Sequence, residues 1–216
     1  SMFGNLLIAH KEGFVSEEAI DEAVTRLMIT RMKLGMFDNP ENVPYTRIPY
    51  DKNDCNEHRQ FAVEVAKKSM VLLKNENNLL PLDKKKLKAI AVIGPNANSR
   101  DALVGNYIGT PSNYITVLEG IREAVGADTR IYYAQGCHLY KDRVEALAEY
   151  GDRFAEAVSA AEMADAVIMC LGLDASIEGE EGDVSNEYAS GDKMHLNLPG
   201  LQQELLEVVS KTGKPV

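Results

Sequence analysis

Ala89-Ile90-Ala91-Val92-Ile93-Gly94-Pro95-Asn96 is the stretch from which the fold of this chain is read. Five apolar residues, three of them β-branched, form a run too short for a helix, and Gly-Pro-Asn ends it, as a buried strand leaving through a turn would. Working outward, helices and strands then alternate. Thr116 to Val125 reads as a helix with Thr116 and Glu119 spaced as a capping box. Arg130 to Ala134 reads as a strand, Asp152 to Glu162 as an alanine-rich helix, Ala166 to Leu171 as another strand and Pro199 to Val209 as a helix. Lys214-Pro215-Val216 reads as the entry to a further strand, cut off. Strands separated by helices of this length pair in parallel through right-handed crossovers. The expected class is therefore α/β, a layered and mostly parallel sheet with helices on both faces. Gly94-Pro95-Asn96-Ala97 is not a GxGxxG fingerprint, because Pro95 removes a backbone donor and no second glycine follows at the required spacing. The excursion from Pro95 to Ile115 is long for a compact domain, which marks it as functional or as packed on something.

Upstream, Ser16 to Leu34 is the first clear helix. Ser16 suits its N-cap, Glu17 and Glu18 the positive end of its dipole, and Gly35 its stop. Ile20, Val24, Leu27 and Met28 share one face, which needs a partner, and no second helix is expected before it. From Gly35 to Asn53 periodicity is lost among Pro40, Pro44 and Pro49, so an extended linker is expected. A further helix runs from about Asp54 to Lys74, with Asp54 and Glu57 spaced as a capping box and Phe61, Val65, Ser69 and Leu72 near one face.

Composition narrows the function. With 216 residues, 45% hydrophobic and 26% charged, the chain has an ordinary globular make-up. A formal net charge of −10 argues against a nucleic-acid backbone or an anionic membrane as partner. No apolar run approaches the roughly 20 residues of a membrane span. Ser1-Met2-Phe3-Gly4-Asn5 has no basic region ahead of an apolar core, so no signal peptide is expected, and a Ser ahead of Met reads as an expression scar. Cys55, Cys137 and Cys170 are an odd set without CxxC spacing, which suggests neither a disulfide framework nor a zinc site. His10, His58, His138 and His195 form no ligand pattern and are assigned no role. No metal or other cofactor is expected.

The chemistry is expected just past the strand ending at Leu171. Leu171-Gly172-Leu173-Asp174-Ala175-Ser176-Ile177-Glu178-Gly179-Glu180-Glu181-Gly182-Asp183 leaves that strand through glycines and places five carboxylates within ten residues. In an open α/β sheet, ligands bind beyond the carboxyl ends of the strands. Crowded carboxylates raise one another's pKa, as a general acid working near neutral pH requires. A solvated acidic loop is the plain alternative for this stretch taken alone.

Several segments together resemble the family 3 glycoside hydrolases, the β-glucosidases, β-xylosidases and their relatives. Arg31 and Leu34-Gly35-Met36-Phe37-Asp38 look like the exit from that family's catalytic barrel. Ser69-Met70-Val71-Leu72-Leu73-Lys74-Asn75-Glu76 and Leu80-Pro81-Leu82 look like the opening of its second domain. Ile90 to Ala97, Gly105-Asn106-Tyr107, Gly109-Thr110-Pro111, Thr116 to Ile121, Tyr133 to Cys137 and Leu198-Pro199-Gly200-Leu201-Gln202-Gln203 follow in the family's order. The resemblance implies three parts: residues 1–38 as the end of a (β/α)8 barrel domain, 39–54 as a linker and 55–216 as an α/β sandwich domain, truncated.

It also implies a mechanism for the parent protein. In the family an acidic loop of the second domain supplies the acid/base of a retaining, exo-acting β-glycosidase. The loop's pattern, Ile-Glu-x-Glu with an Asp three residues on, matches Ile177-Glu178-Gly179-Glu180 with Asp183. Glu180 is thus the first choice for acid/base, Glu181 the second and Glu178 the third. Asp183 to Asp192 looks like an insertion, with Gly191-Asp192-Lys193 as the displaced counterpart of the family's Asp-Arg. The family's nucleophile lies in a Ser-Asp-Trp motif of the barrel, and this chain has no tryptophan. The expected partners are an oligosaccharide or other β-glycoside and the missing N-terminal barrel; alone, the segment is expected to be inactive. The Gly105 to Pro111 segment and Gly136-Cys137 lean towards the β-xylosidase branch, with β-glucosidase close behind. Two alternatives stand beside this reading. One is a module holding Ca²⁺ through Glu178, Glu180, Glu181 and Asp183; the other is a second domain that only scaffolds its barrel.

Overall fold

A computed structural model describes residues 2–105, 109–177 and 193–216. The chain divides into two compact units, Ser1–Leu72 and Leu73–Val216.

The first unit is helical. A short helix α1, Leu6–Lys11, precedes α2, Glu17–Lys33. This corrects the expectation that no helix comes first; Leu6 to Lys11 is a turn and a half, too short to show a period. Ser16 caps α2 by accepting from Ala19 N at 3.2 Å, and Gly35 ends it at φ 70°. Three 3₁₀ turns then follow, Pro40–Asn42, Pro44–Arg47 and Tyr50–Lys52. Helix α3, Asn56–Ser69, begins and ends later and earlier than expected. Asp54 does not cap it: at φ 56° it has left the extended conformation an N-cap needs, and its carboxylate pairs instead with Arg59 at 2.9 Å. At the other end the Ser69 hydroxyl donates to Ala66 O at 2.8 Å, competing with the backbone donor that would continue the helix. Met70 is extended.

The second unit is an α/β layer structure around three parallel strands: β1, Ala89–Ile93, in the centre, β2, Arg130–Ala134, on one side and β3, Ala166–Met169, on the other. Ile93 pairs with Ala134 of β2 and with Met169 of β3. All of β1 is buried, and its pleat divides the core in two. Ile90 and Val92 face Leu118 of α4, Val117–Val125; Ala91 and Ile93 face α5, Phe154–Glu162, and α6, Gln202–Ser210. Helices therefore cover both faces, as a parallel sheet requires.

Local chemistry explains the ends. Thr116 and Glu119 close the expected capping box, with Thr116 N donating to the Glu119 carboxylate at 2.8 Å and Glu119 N to the Thr116 hydroxyl at 3.2 Å. Asp165, just ahead of β3, accepts from Lys88 N and Ala89 N at 2.7 and 3.0 Å, and those bonds hold its carboxyl below the usual range. Helix α6 starts at Gln202 rather than Pro199, because Gly200 sits at φ 54° with the Tyr140 backbone where a Cβ would go. On the side of β3 away from β1, Val167 N donates to Pro215 O at 2.8 Å.

Candidate active site

The carboxyl ends of the three strands gather four loops of the second unit. Gly94-Pro95-Asn96-Ala97 follows β1, Gly136 to Tyr140 follows β2, Cys170 to Ile177 follows β3, and Pro199-Gly200-Leu201 leads into α6.

The turn off β3 is the most heavily bonded. Cys170 N still donates to Ile93 O at 2.7 Å, and Asn96 N donates to Cys170 O at 3.3 Å. Gly172 adopts φ 128°, a conformation open to glycine, although nothing lies within 4 Å of where its Cβ would be. Gly172 N donates to Gln202 Oε1 at 2.7 Å, and Gln202 Nε2 donates to Gly172 O at 2.9 Å and to Leu139 O at 2.6 Å. Gln202 is wholly buried. Asn96 Nδ2 donates to Leu173 O at 3.2 Å. Asp174 then accepts from Ser176 N at 2.8 Å, Ile177 N returns to Asp174 O at 3.2 Å, and the Ile177 side chain is buried.

His138 lies in the neighbouring loop. Its Nδ1 accepts from Tyr140 N and Lys141 N at 3.2 and 3.1 Å, and its ring meets Tyr140 edge-on at 5.0 Å. Burial and then the Lys141 ammonium lower its pKa, with Asp174 pulling the other way. An unfolded His titrates at about 6.5. A lowered folded value means that the stabilisation is complete above that pH and is lost as pH falls through the folded value. The stability difference between the native protein and His138→Phe is therefore expected to shrink from about pH 8 to about pH 5. Urea unfolding at a series of pH values measures it, and a constant difference would contradict the acceptor role of Nδ1.

Burial pushes the Cys137 thiol up to about 12 and the half-buried Cys170 up to about 11, so neither supplies a thiolate at neutral pH. Among the described residues there is no group of three or more His, Cys, Asp or Glu side chains able to hold a metal ion. No helix among them is long and apolar enough to cross a membrane.

The family profile for the Glycosyl hydrolase family 3 C-terminal domain matches residues 70–216, which contain the whole second unit. The chain belongs to glycosyl hydrolase family 3. A β-xylosidase of Formosa agariphila is 40% identical over 204 residues, covering 91% of this family 3 chain and 26% of that relative. A solved exo-β-xylosidase (XlnD), bound to a xylobiose aziridine probe, superposes with a TM-score of 0.79 at 34% identity over 96% of the chain and 24% of that structure. A β-glucosidase from Erythrobacter marinus superposes at 0.78 with 31% identity, over 97% of the chain and 29% of that structure. The family 3 chain thus spans about a quarter of the length of the relatives it matches.

Of the sequence-derived site residues, Glu178, Glu180 and Glu181 lie outside the described residues, as does Asp183. The calcium reading rests on the same carboxylates and lies outside with them. What the structure adds is the launch point, a bonded turn between the central strand and α6. Gln202 and Asn96, quoted in the sequence only as parts of motifs, are the polar residues that build it. For Gln202 a signal was present: with Leu205 and Val209 it has the i, i+3, i+7 spacing of one helix face, so an amide stands at a core position.

Proposed function

We propose that this family 3 chain is part of a retaining, exo-acting β-glycosidase, with a β-xyloside as the first substrate to test, and that it contributes the acid/base carboxylate. The observation that carries the reading is the path of the chain from β3, beside the central strand, through a fixed turn to Ile177, the residue before Glu178. Such a position beyond the strand ends is where an α/β sheet presents catalytic groups. The β-xylosidases among its relatives support the sugar, and the β-glucosidase of similar fold keeps glucose as the second substrate.

Within this reading, residues 1–38 are the end of a barrel domain, 39–54 a linker and 55–216 the second domain. Large apolar side chains left open support it: Leu27 is 61% exposed, Phe61 69% and Leu73 91%, where a neighbouring domain would cover them. The barrel supplies the nucleophile, which attacks the anomeric carbon. Glu180 protonates the departing oxygen and, once the covalent glycosyl-enzyme has formed, takes a proton from water. Glu181 and Glu178 are the second and third choices, and the two neighbours of whichever acts keep its pKa raised. The segment alone then holds an acid without a nucleophile or sugar subsite and does not turn over.

The test is hydrolysis of aryl β-xylosides and β-glucosides by the longer natural chain with its upstream domain, beside the 216-residue segment. Activity is expected only in the longer chain. Glu180→Gly is expected to lower its kcat/KM for a phenyl glycoside by about 10²- to 10⁴-fold, and azide to restore turnover of an activated substrate. Undiminished activity after replacing each of Glu178, Glu180 and Glu181 in turn would move the acid/base elsewhere. The ratio of the two substrates names the sugar.

A further inference from the structure

We propose that Gln202 and Asn96 are positioning residues for the acid/base step, a pair of carboxamides that fix Gly172 and Leu173, from which the chain runs on to the acidic stretch. The proposal rests on the reading of that stretch as the source of the acid/base.

The geometry accounts for every hydrogen-bonding group of the Gln202 amide. Its oxygen accepts from Gly172 N, and its two N–H groups go to Gly172 O and Leu139 O. Gln202 thus grips one residue at both N–H and carbonyl, as a neighbouring strand would, and ties it to the loop after β2. A fully buried amide is stabilising only when satisfied in this way, and an apolar side chain would fill the same space without the desolvation cost. What the amide adds is direction, because it pairs with peptide groups of a turn that has left the sheet and has no ladder to bond to. Asn96 holds the next residue from the other side. It stands in the turn after β1, uses its side-chain N–H on Leu173 O and its backbone N–H on Cys170 O. The carbonyls of residues 170, 172 and 173 are therefore all taken, two of them by Asn96 and one by Gln202. Gly172 at φ 128° gives the turn a shape that few residues adopt, and the two amides hold it there. Such bonding fixes the course of the chain as it leaves the sheet, and general acid catalysis is sensitive to displacements on the ångström scale.

The longer natural chain, carrying Gln202→Met or Asn96→Ala, tests this through the leaving group. A phenolate needs a proton to depart, whereas a dinitrophenolate leaves without one. In kcat/KM, which reports formation of the glycosyl-enzyme, a displaced acid slows the first substrate and spares the second. We expect a loss of about 100-fold on the phenyl glycoside and under about 5-fold on the dinitrophenyl glycoside, with the basic limb of the pH profile shifted for the former alone. A loss by the same factor on both substrates would mean that the residues only keep the protein folded, and would overturn the proposal. Should Gln202→Met fail to fold, Asn96→Ala decides, since it removes one bond from a half-buried side chain. Glu180→Gly, Glu181→Gly and Glu178→Gly are measured alongside. If one of them shows the leaving-group signature and neither amide variant does, the clamp alone is refuted. If none shows it, the acid/base reading fails and the clamp's catalytic role falls with it.

Discussion

Gly94→Ala is expected to unfold the second unit or leave it barely stable. Gly94 ends the central strand at φ 129°, and a Cβ there would lie 2.2 Å from Cys170 O and 2.8 Å from its carbonyl carbon. Contacts that close are not relieved by a side-chain rotation, because the obstacle is the backbone of the chain leaving β3. The two segments would have to move apart by more than an ångström where Cys170 N bonds Ile93 O at 2.7 Å and Asn96 N bonds Cys170 O at 3.3 Å. On the other side Gly94 N donates to Ala134 O at 3.1 Å, so β1 cannot yield towards β2 without breaking that bond as well. A clash, a disfavoured φ and strained ladder bonds together put the loss on the order of 4 kcal/mol or more. Thermal unfolding and hydrogen exchange of residues 89–93 would measure it. A melting temperature within a few degrees of the native protein would show that β3 can swing away freely, which would also deny the turn its rigidity.

Leu205→Ala should cost about 2–5 kcal/mol, the range for deleting a buried leucine side chain. Leu205 is fully buried in the layer between the sheet and the pair α5 and α6. The cluster it belongs to mixes small side chains, Ala91, Ala134, Ala157, Ala160 and Ala161, with larger ones, Ile93, Val167, Leu201 and Val209. Gly136 lies against it so closely that a Cβ on the glycine would come within 2.6 Å of the leucine methyl. Gly136 and the alanines have no side chains that can swing into the hole, which limits how far the cavity collapses. Chemical denaturation should show the fall in midpoint with an unchanged slope. A loss below about 1 kcal/mol would mean that α6 slides inward to close the gap.

The two substitutions bear on different parts of what could be read from residues. The alanine content of α5 was visible in Asp152 to Glu162, yet which large side chain would pack opposite it was not. The strands were legible because short β-branched runs between turn residues have few other uses. Element ends were less legible. Asp54 and Glu57 had capping-box spacing, but Asp54 took a positive φ and paired with Arg59. Pro199 suited the first turn of a helix, but Gly200 was needed for the Tyr140 backbone to pass. In each case a partner distant in sequence or a neighbouring turn competed with the local preference, and local preference is worth only about 1 kcal/mol.

For the site the division is similar. The acidic run and its place past a strand were plain in the residues, and the family resemblance ordered Glu180, Glu181 and Glu178 as candidates. Hydrophobic period, turn chemistry and motif order are properties of neighbours along the chain, so they established the α/β class, the parallel strands and the family without any contact being known. The grip of Gln202 on Gly172, thirty positions away, and of Asn96 on Leu173 came only from the folded arrangement. A hydrogen bond between residues so far apart leaves no spacing to read, because it depends on which strand ends the sheet brings side by side.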